Sequence, residues 1–344
     1  MTVSAMPSPT PAPPARPSLD APPDPALAVE TRALWKSYRN PWTMRVTRGI
    51  EDLDLGVRRG EVVGYLGPNG AGKTTTIKIL TGLHKATRGR AWLLGGRVEE
   101  PRSRRQLGFL PEQPYFYDYL SGIEYLELAG RLSGLGAHEA GGRAKQWLGR
   151  VGLGQDPRRI LRKYSKGMLQ RLGLAAALVH EPELLILDEP MSGLDPFGRR
   201  DVRELILEQR ERGTTVMFSS HILPDVEMLC DRVAIVLKGR LERMATVGEL
   251  MRGSGQRIEF RCAGRSLAAL PTELAAVLTR NERPDETVFT LADATRQQEA
   301  LAWLVSQHVE VLAVTPQRAS LEQLFMATAE GRGTGDPERD ARSA

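Results

Sequence analysis

A glycine-rich segment at residues 67–74 has the residue types and the spacing of a phosphate-binding loop. It reads Gly-Pro-Asn-Gly-Ala-Gly-Lys-Thr, which fits the pattern G-x-x-x-x-G-K-[ST]. In such a loop, backbone N–H groups and the positive end of a helix converge on phosphate oxygens, a lysine adds a point charge, and a hydroxyl suits Mg²⁺. We expect Gly67 and Gly72 to have positive φ and to allow close approach. The sequence therefore predicts a nucleoside triphosphate site, contacted by Gly67, Pro68, Asn69, Gly70, Ala71, Gly72, Lys73, Thr74 and Thr75.

Two adjacent carboxylates follow a run of aliphatic residues further along the chain. Leu184–Leu187 is entirely aliphatic, and Asp188 and Glu189 come directly after it. Such a run is typical of a central parallel strand whose C-terminal end carries the site. Hydrolysis of a phosphoanhydride requires a divalent cation and a group that orients the attacking water. We expect Asp188 to reach a Mg²⁺ ion opposite Thr74, and Glu189 to polarise the water.

These groups need strands and helices that hold them in place. An apolar strand at Val62–Leu66 is predicted before the glycine loop, and a helix at Thr74–Leu80 after it. Apolar residues at helical spacing predict a helical region between about residues 118 and 181. The remaining predicted strands before residue 252 are Val29–Trp35, Ile50–Val57, Leu184–Leu187, Thr214–Ser220 and Arg232–Leu237.

A new series of strand-like and helix-like stretches begins after Gly253, which predicts a small α+β module over residues 253–330. Its expected strands are Arg257–Arg261 and Thr287–Leu291, and its expected helices are Ser266–Leu278, Arg296–Gln307 and Leu321–Ala329. Residues 1–28 are rich in Pro and Ala, so we expect a disordered tail there. Residues 331–344 are polar and are expected to form a flexible tail.

Composition narrows the class of protein without identifying it. The 344 residues carry a formal net charge of +5, which could serve nucleic acid or an anionic membrane surface, but acidic residues alternate with arginine along the chain. We therefore expect a solvated surface and no nucleic acid partner. No apolar run approaches the roughly 18 residues that cross a bilayer, and the N-terminus has no secretory signal pattern. The two cysteines lack metal-ligand spacing, so a cytoplasmic protein with reduced thiols is expected.

Five motifs in one fixed order point to a family. After the glycine loop come YSKGMLQR at 164–171, LLILDEP at 184–190, SGLD at 192–195, and then His221. In this order they resemble the ATP-binding subunit of an ABC transporter, over about residues 29–250. The resemblance implies an α/β P-loop NTPase fold. An ABC-type ATPase domain at 29–252 would combine a parallel core sheet, an antiparallel β subdomain and the helical subdomain.

The resemblance also assigns roles to residues outside the glycine loop. Tyr38 resembles the aromatic residue that stacks on adenine, and Trp42 is a rival for that role. His221 is similar to the histidine that bonds the γ-phosphate, so Lys73, Glu189 and His221 are the expected catalytic residues. Ser165 and Gly167 resemble the family's signature residues, which contact the γ-phosphate bound by another subunit.

Two segments depart from the family pattern. The signature usually reads Leu-Ser-Gly-Gly-Gln, whereas residues 164–168 are Tyr-Ser-Lys-Gly-Met. Family members mostly place a glutamine directly after the proline that corresponds to Pro111, as a Mg²⁺ contact. Here Glu112 stands at that position and Gln113 follows. A carboxylate suits Mg²⁺ well, so Glu112 is the expected metal contact; Gln113, or a loop that touches no metal, is the alternative.

The chain has one glycine loop and one signature segment. In the family that it resembles, a complete nucleotide site combines the loop of one subunit with the signature of another, so this chain supplies one part of each of two sites. The resemblance implies a homodimer or heterodimer of ATPase subunits that closes on two ATP molecules, with Asp195 in the loop between the sites. It also implies separate membrane-spanning permease subunits and a peripheral location at the cytoplasmic face of the membrane. The C-terminal module and residues 320–325 resemble the branch that serves ABC-2-type exporters. The alternative is a soluble ABC ATPase of translation or DNA repair. Such proteins usually carry two tandem cassettes or a very long coiled-coil insertion, and this sequence shows neither.

Overall fold

The fold is described from a computed structural model of the chain. The structure describes residues 18–252, 257–264, 270, 273–283 and 285–317. The predicted disorder of residues 1–17, the predicted helix at Leu321–Ala329 and the predicted tail at 331–344 lie outside the described residues.

Strands and helices alternate through most of the described chain. The strands are β1 (Leu27–Arg39), β2 (Val46–Arg58), β3 (Val62–Leu66), β4 (Arg88–Leu93), β5 (Gly96–Arg97), β6 (Leu107–Leu110), β7 (Leu184–Leu187), β8 (Thr215–Ser220), β9 (Arg232–Leu237), β10 (Arg240–Thr246), β11 (Arg257–Ala263), β12 (Leu278–Glu282), β13 (Glu286–Leu291) and β14 (Val311–Gln317). The helices are α1 (Lys73–Leu80), α2 (Gly122–Leu132), α3 (Ala137–Arg150), α4 (Lys166–Leu178), α5 (Pro196–Glu211), α6 (Leu223–Leu229), α7 (Val247–Arg252) and α8 (Gln297–Ser306).

The central sheet has the strand order β10-β9-β3-β8-β7-β6. Strands β9, β3, β8, β7 and β6 are parallel, and only the edge strand β10 is antiparallel to its neighbour. Strands β3, β7 and β8 are buried along their whole length, which explains their apolar composition. Because parallel strands end at the same edge of a sheet, Leu66, Leu187 and Ser220 lie there, and the residues after them form the site.

A second, antiparallel sheet has the order β2-β1-β4-β5. Its apolar face shares one core cluster with the central sheet, in which Leu53 of β2 is buried together with Tyr65 of β3 and Ile77 of α1. A backbone bond from the Glu51 N–H to the Gly239 carbonyl, 2.8 Å long, joins it to the turn after β9. This contact holds the antiparallel sheet beside the glycine loop, as the predicted ABC-type architecture requires.

Helices α2, α3 and α4 lie within the region 118–181 that the sequence predicted to be helical. Helix α2 begins with a capping box in which Ser121 and Glu124 satisfy each other's backbone N–H groups. Helix α4 begins at the signature segment, with Ser165 as its N-cap. The three helices share an apolar cluster with the parallel sheet, so the signature segment is held by the same core as the site.

A third sheet, with the order β12-β13-β11-β14, is entirely antiparallel and packs with α8. Its own core includes Phe260, Phe289 and Leu304. The helix predicted at Ser266–Leu278 is wrong in its described part, because residues 273–277 form turns and Leu278 starts β12. Leu278 is buried and pairs with Leu291, and this long-range pairing overrides the local helical pattern.

The first described residues are more ordered than the Pro-rich composition predicted. The structure begins β1 at Leu27, and carbonyls further upstream accept hydrogen bonds from Arg32. Arg32 is buried against Glu30 and needs acceptors for its remaining N–H groups. Its Nη1 donates to Ser18 O and Ala21 O at 2.8 and 2.7 Å. The prediction of disorder up to residue 28 is therefore corrected for residues 18–28.

No helix in the described part of the chain is long and apolar enough to cross a membrane.

Candidate functional site

The glycine loop lies between β3 and α1, and two of its glycines are fixed by close backbone contacts. A Cβ at Gly67 would lie 2.5 Å from the Val236 carbonyl oxygen, and one at Gly72 would lie 2.4 Å from the Gly49 carbonyl oxygen. Gly72 has φ 101°, a left-handed conformation that glycine adopts without strain. The predicted positive φ at Gly67 is wrong: the loop's positive φ angles are at Gly70 and Gly72. Gly67 is required by space alone.

Lys73 is held inside the site by two oxygen atoms. It is the first residue of α1, and its Nζ donates to the Gly67 carbonyl at 2.7 Å and lies 3.4 Å from Glu189 Oε1. Its side chain is only 7% exposed, so both contacts form in a desolvated place where charge interactions are strong. The first N–H groups of α1 have no partner inside the helix and no side-chain cap. Together they form a positively polarised cradle for phosphate.

The two predicted carboxylates diverge after β7. Asp188 is 2% exposed and accepts a hydrogen bond from the Ser219 hydroxyl at 2.6 Å. The same hydroxyl accepts the Glu189 N–H at 2.8 Å. Ser219 is fully buried at the end of β8, next to β7 in the sheet, and sequence reasoning assigned it no role. Its position in the strand that leads to His221 was the sequence feature from which a role in the site could have been predicted.

Glu189 and His221 form the side of this cluster that lines a cavity. His221 Nδ1 lies 2.8 Å from Glu189 Oε2, and Lys73 Nζ lies near the other carboxylate oxygen. Glu189 has φ 49°, which is uncommon outside glycine, so the backbone holds its carboxylate in a specific direction. The arrangement brings together the three residues predicted to be catalytic.

A cavity of about 510 Å³ opens over these groups. It adjoins most of the predicted phosphate, base and metal contacts. It adds Thr47, Arg48 and Gly49, which the sequence did not single out, and Ser192, the first residue of the SGLD motif, to which the sequence assigned no contact. The predicted residues that line it are Tyr38, Pro68, Asn69, Gly70, Gly72, Lys73, Thr74, Thr75, Glu112, Glu189 and His221. Gly67, Ala71 and Asp188 lie outside the lining, as do Ser165 and Gly167.

The two candidates for base stacking are placed differently. Tyr38 lies near the end of β1, lines the cavity and is 36% exposed. Trp42 is 91% exposed in the turn between β1 and β2, and it does not line the cavity. The geometry favours Tyr38 as the aromatic side chain beside a bound base.

The signature segment is connected to the carboxylate segment within the same chain. The Ser165 hydroxyl accepts the Met168 N–H at 3.3 Å as the N-cap of α4. One turn later, the buried Gln170 donates from Nε2 to the Pro190 carbonyl at 2.8 Å. Sequence reasoning did not identify Gln170, because nothing local distinguishes it from a solvated helix residue. Its bond fixes the distance between α4 and the residue that follows Glu189.

The oxygen donors near Thr74 fit a hard cation. Thr74 and Glu112 both line the cavity, and Asp188 does not line it but accepts the hydrogen bond from Ser219. No group of three or more His, Cys, Asp and Glu side chains with metal-binding geometry occurs among the residues that the structure describes. Few protein ligands are typical of Mg²⁺ held with substrate phosphates, and the donor set therefore fits that ion better than a transition metal.

The fold and the site define a P-loop ATPase. The family model described as ABC transporter matches residues 50–192. An uncharacterized ABC transporter ATP-binding protein of Synechocystis is 40% identical over 317 residues, which cover 91% of this chain and 88% of that protein. The daunorubicin/doxorubicin resistance ATP-binding protein DrrA of Streptomyces peucetius is 35% identical, with 92% and 95% covered.

Solved structures of similar fold also belong to ATP-binding subunits and cassettes. A structure of the ATP-binding subunit of an ABC transporter has a TM-score of 0.60 and 34% identity, and it covers 66% of this chain and 92% of its own. A dimeric post-hydrolysis structure of the ATP-binding cassette MJ0796 with ADP and Pi shares the fold, with a TM-score of 0.59 and 22% identity over 64% and 98% of the chains. The chain belongs to the family of ABC transporter ATP-binding proteins. It is an ATP-binding subunit and an ATPase, as the ordered motifs predicted.

Proposed function

We propose that this chain powers an exporter of the ABC-2 type, whose membrane-spanning permease is a separate polypeptide. The observation that carries the hydrolytic part of the proposal is the cluster of Lys73, Glu189 and His221 beside the glycine loop, while Ser165 and Gly167 lie outside the same cavity. The name of DrrA associates that relative with drug resistance, which supports export as the direction. The transported substrate would be contacted by the permease.

Glu189 is the residue proposed to orient the attacking water. Its two carboxylate oxygens lie near Lys73 Nζ and His221 Nδ1, at 3.4 and 2.8 Å, and its side chain is about one-tenth exposed. A carboxylate held in this way can accept a hydrogen bond from a water that lies in line with the γ-phosphate. The terminal phosphate would replace Glu189 as a partner of Lys73, and His221 would donate to a γ-phosphate oxygen. Glu189 would then be free to bind water.

Mg²⁺ is proposed to be held by Thr74 and Asp188, with Glu112 as a further contact. The ion would supply charge neutralisation for the triphosphate. Ser219 keeps Asp188 in one orientation, and the carboxylate retains lone pairs for a metal-bound water. Glu112 lines the cavity and Gln113 does not, which favours Glu112 over its neighbour.

The second ATPase subunit is proposed to complete each nucleotide site. Ser165 caps α4, and neither Ser165 nor Gly167 lines the cavity of its own subunit. The first N–H groups of that helix have no partner inside the helix. Residues 192–195 lead directly from the carboxylate segment to α5, where Asp195 caps the helix by accepting the Gly198 N–H at 2.7 Å. A partner's nucleotide would lie between the glycine loop of one chain and α4 of the other.

The permease is proposed to contact three exposed tyrosines after Glu112. Tyr115, Tyr117 and Tyr119 are 85%, 45% and 75% exposed and contact one another through their rings. Exposed clusters of aromatic side chains mark protein–protein interaction sites, and tyrosine is enriched among the residues that contribute most to binding there. A short cytoplasmic helix of the permease would lie in the groove between this segment and α2, which would keep the ATPase at the cytoplasmic face of the membrane.

The alternative, a soluble ABC ATPase of translation or DNA repair, would use the same cluster without a permease. The presence of a membrane partner distinguishes the proposed exporter subunit from this alternative. Affinity purification of the full chain from solubilised membranes should recover a protein with about six membrane spans. Replacement of the tyrosines by Ser should release that protein and leave basal ATP hydrolysis unchanged. Recovery from the soluble fraction alone would favour the alternative.

Glu189→Gln tests the proposed pair of sites directly. The amide keeps the shape of the side chain but cannot act as a base, so ATP should bind without turnover. The variant should form a dimer with ATP, as measured by size-exclusion chromatography with light scattering. Ser165→Arg in the same variant should prevent the dimer, because the long side chain covers the start of α4. A Glu189→Gln chain that stays monomeric at saturating ATP would contradict the proposal.

A further inference from the structure

His84 contacts the tyrosine that lies beside the nucleotide cavity. The Tyr38 hydroxyl lies 3.0 Å from His84 Nδ1, and the two rings meet edge to face with centroids 5.9 Å apart. A weaker contact of 3.5 Å joins the same hydroxyl to Thr75 Oγ1. Tyr38 is therefore anchored at its polar end, although it lies on a partly exposed stretch of β1.

The backbone of His84 is fixed to the helix that carries the phosphate loop. Its N–H donates to the Lys78 carbonyl at 2.9 Å, just beyond the end of α1. Tyr38 belongs to the antiparallel sheet, whereas α1 begins at Lys73 of the glycine loop. The contact between His84 and Tyr38 thus joins the part of the site that faces the base to the part that faces the phosphates.

Burial and two nearby cations favour the neutral form of the His84 imidazole. Burial lowers the pKa of His84, and the charges of Lys36 and Lys78 lower it further. Lys36 Nζ lies 5.1 Å from the centroid of the Tyr38 ring and donates to the Lys85 carbonyl at 2.8 Å. A neutral imidazole that carries its proton on Nε2 accepts a hydrogen bond from the tyrosine hydroxyl at Nδ1. The hydrogen bond then fixes the position of the outer end of the ring, and the edge-to-face contact with the imidazole restrains the rotation of the ring plane.

We infer that His84 is a positioning residue for the purine base, because it holds the Tyr38 ring in the orientation that stacks on adenine. The inference rests on the proposed role of Tyr38 in base binding. Without His84 the ring would have to be immobilised when the nucleotide binds. The cost of immobilising one such side chain corresponds to about a threefold to tenfold loss of affinity.

Binding of MgATP and of magnesium tripolyphosphate to the full-length chain tests this role, measured by isothermal titration calorimetry. Tripolyphosphate has the phosphates without the base. His84→Ala and Tyr38→Phe should each weaken MgATP about threefold to tenfold and leave tripolyphosphate unchanged. The double variant should be no weaker than either single variant, because both remove the same bond. His84→Gln, which offers the hydroxyl a new partner, should restore part of the affinity.

His138→Ala is the matched control, since His138 is exposed on α3, far along the chain from the base site. Additive losses in the double variant, or an equal loss for tripolyphosphate, would overturn the inference and assign His84 a general structural role. Tyr38→Ala separates the two proposals. If that variant binds MgATP as the parent does, the role of Tyr38 itself fails; if it binds weakly and His84→Ala binds normally, only the role of His84 fails.

Discussion

Ser219→Ala is predicted to damage both stability and turnover, although Ser219 does not line the cavity. The hydroxyl is fully buried and makes two bonds, to Asp188 Oδ1 at 2.6 Å and from the Glu189 N–H at 2.8 Å. A hydrogen bond to a charged group contributes about 1.5–3 kcal/mol, and a neutral one about 0.5–1.5 kcal/mol. Because alanine leaves both partners buried and unpaired, we expect the free energy of unfolding to fall by about 2–4 kcal/mol.

Turnover should fall further than affinity in the same variant. Glu189 loses the bond that fixes its backbone, and a misplacement of about 1 Å costs on the order of a hundredfold in rate. Urea unfolding gives the change in stability, and steady-state ATP hydrolysis gives kcat and KM. Ser133→Ala is the control, because the Ser133 hydroxyl makes one exposed bond to Ala129 O at 2.9 Å. If Ser219→Ala has the same free energy of unfolding and the same rate of ATP hydrolysis as the parent, the two hydrogen bonds of the Ser219 hydroxyl contribute to neither property.

Three further predictions concern the loop and its support. Lys73→Ala should abolish ATP hydrolysis in a steady-state assay, since the buried ammonium is lost from the phosphate site; full activity would refute the assignment. Gly72→Ala should weaken ATP binding at least about tenfold by calorimetry, because its Cβ would lie 2.4 Å from Gly49 O and its φ is positive. Gly70→Ala meets no neighbouring atom and has only the strain of its positive φ, so its effect should be milder. Glu51→Gln should destabilise the chain at pH 7. The Arg240 hydrogen bond lowers the pKa of Glu51, so the pair stabilises the fold above pH 4.5. The difference in free energy of unfolding between variant and parent, measured in urea, should vanish as the pH falls through the pKa of Glu51 in the folded chain.

Much of the site was predictable because its geometry is local. In the loop at 67–74, sequence spacing alone sets the path from strand to helix, so the residues that face phosphate follow from the pattern. The two carboxylates were predictable for the same reason, since they follow a buried strand directly. These features depend on neighbours in sequence and on little else.

The remaining features depend on contacts between distant segments. Ser219 acquires its role from the pairing of β8 with β7, and Gln170 acquires its role from the packing of α4 against Pro190. Neither register nor packing can be read from one segment alone. The wrong helix near Leu278 has the same origin, since its local periodicity was outweighed by pairing with β13. His84 belongs to this group as well, because its partner is 46 residues away.

The backbone bond from Asp188 N to Leu110 O has a mechanical consequence for the ATPase. It is 2.8 Å long and joins the start of the carboxylate segment to the last residue of the edge strand β6. From Leu110 to the exposed Tyr115 the chain has five residues, which span at most about 17 Å when fully extended. The exposed tyrosine segment and the carboxylate segment are therefore joined through one short stretch of chain and one backbone hydrogen bond. A partner that displaces Tyr115 by more than this stretch can absorb would also move the end of β6 and the backbone of Asp188.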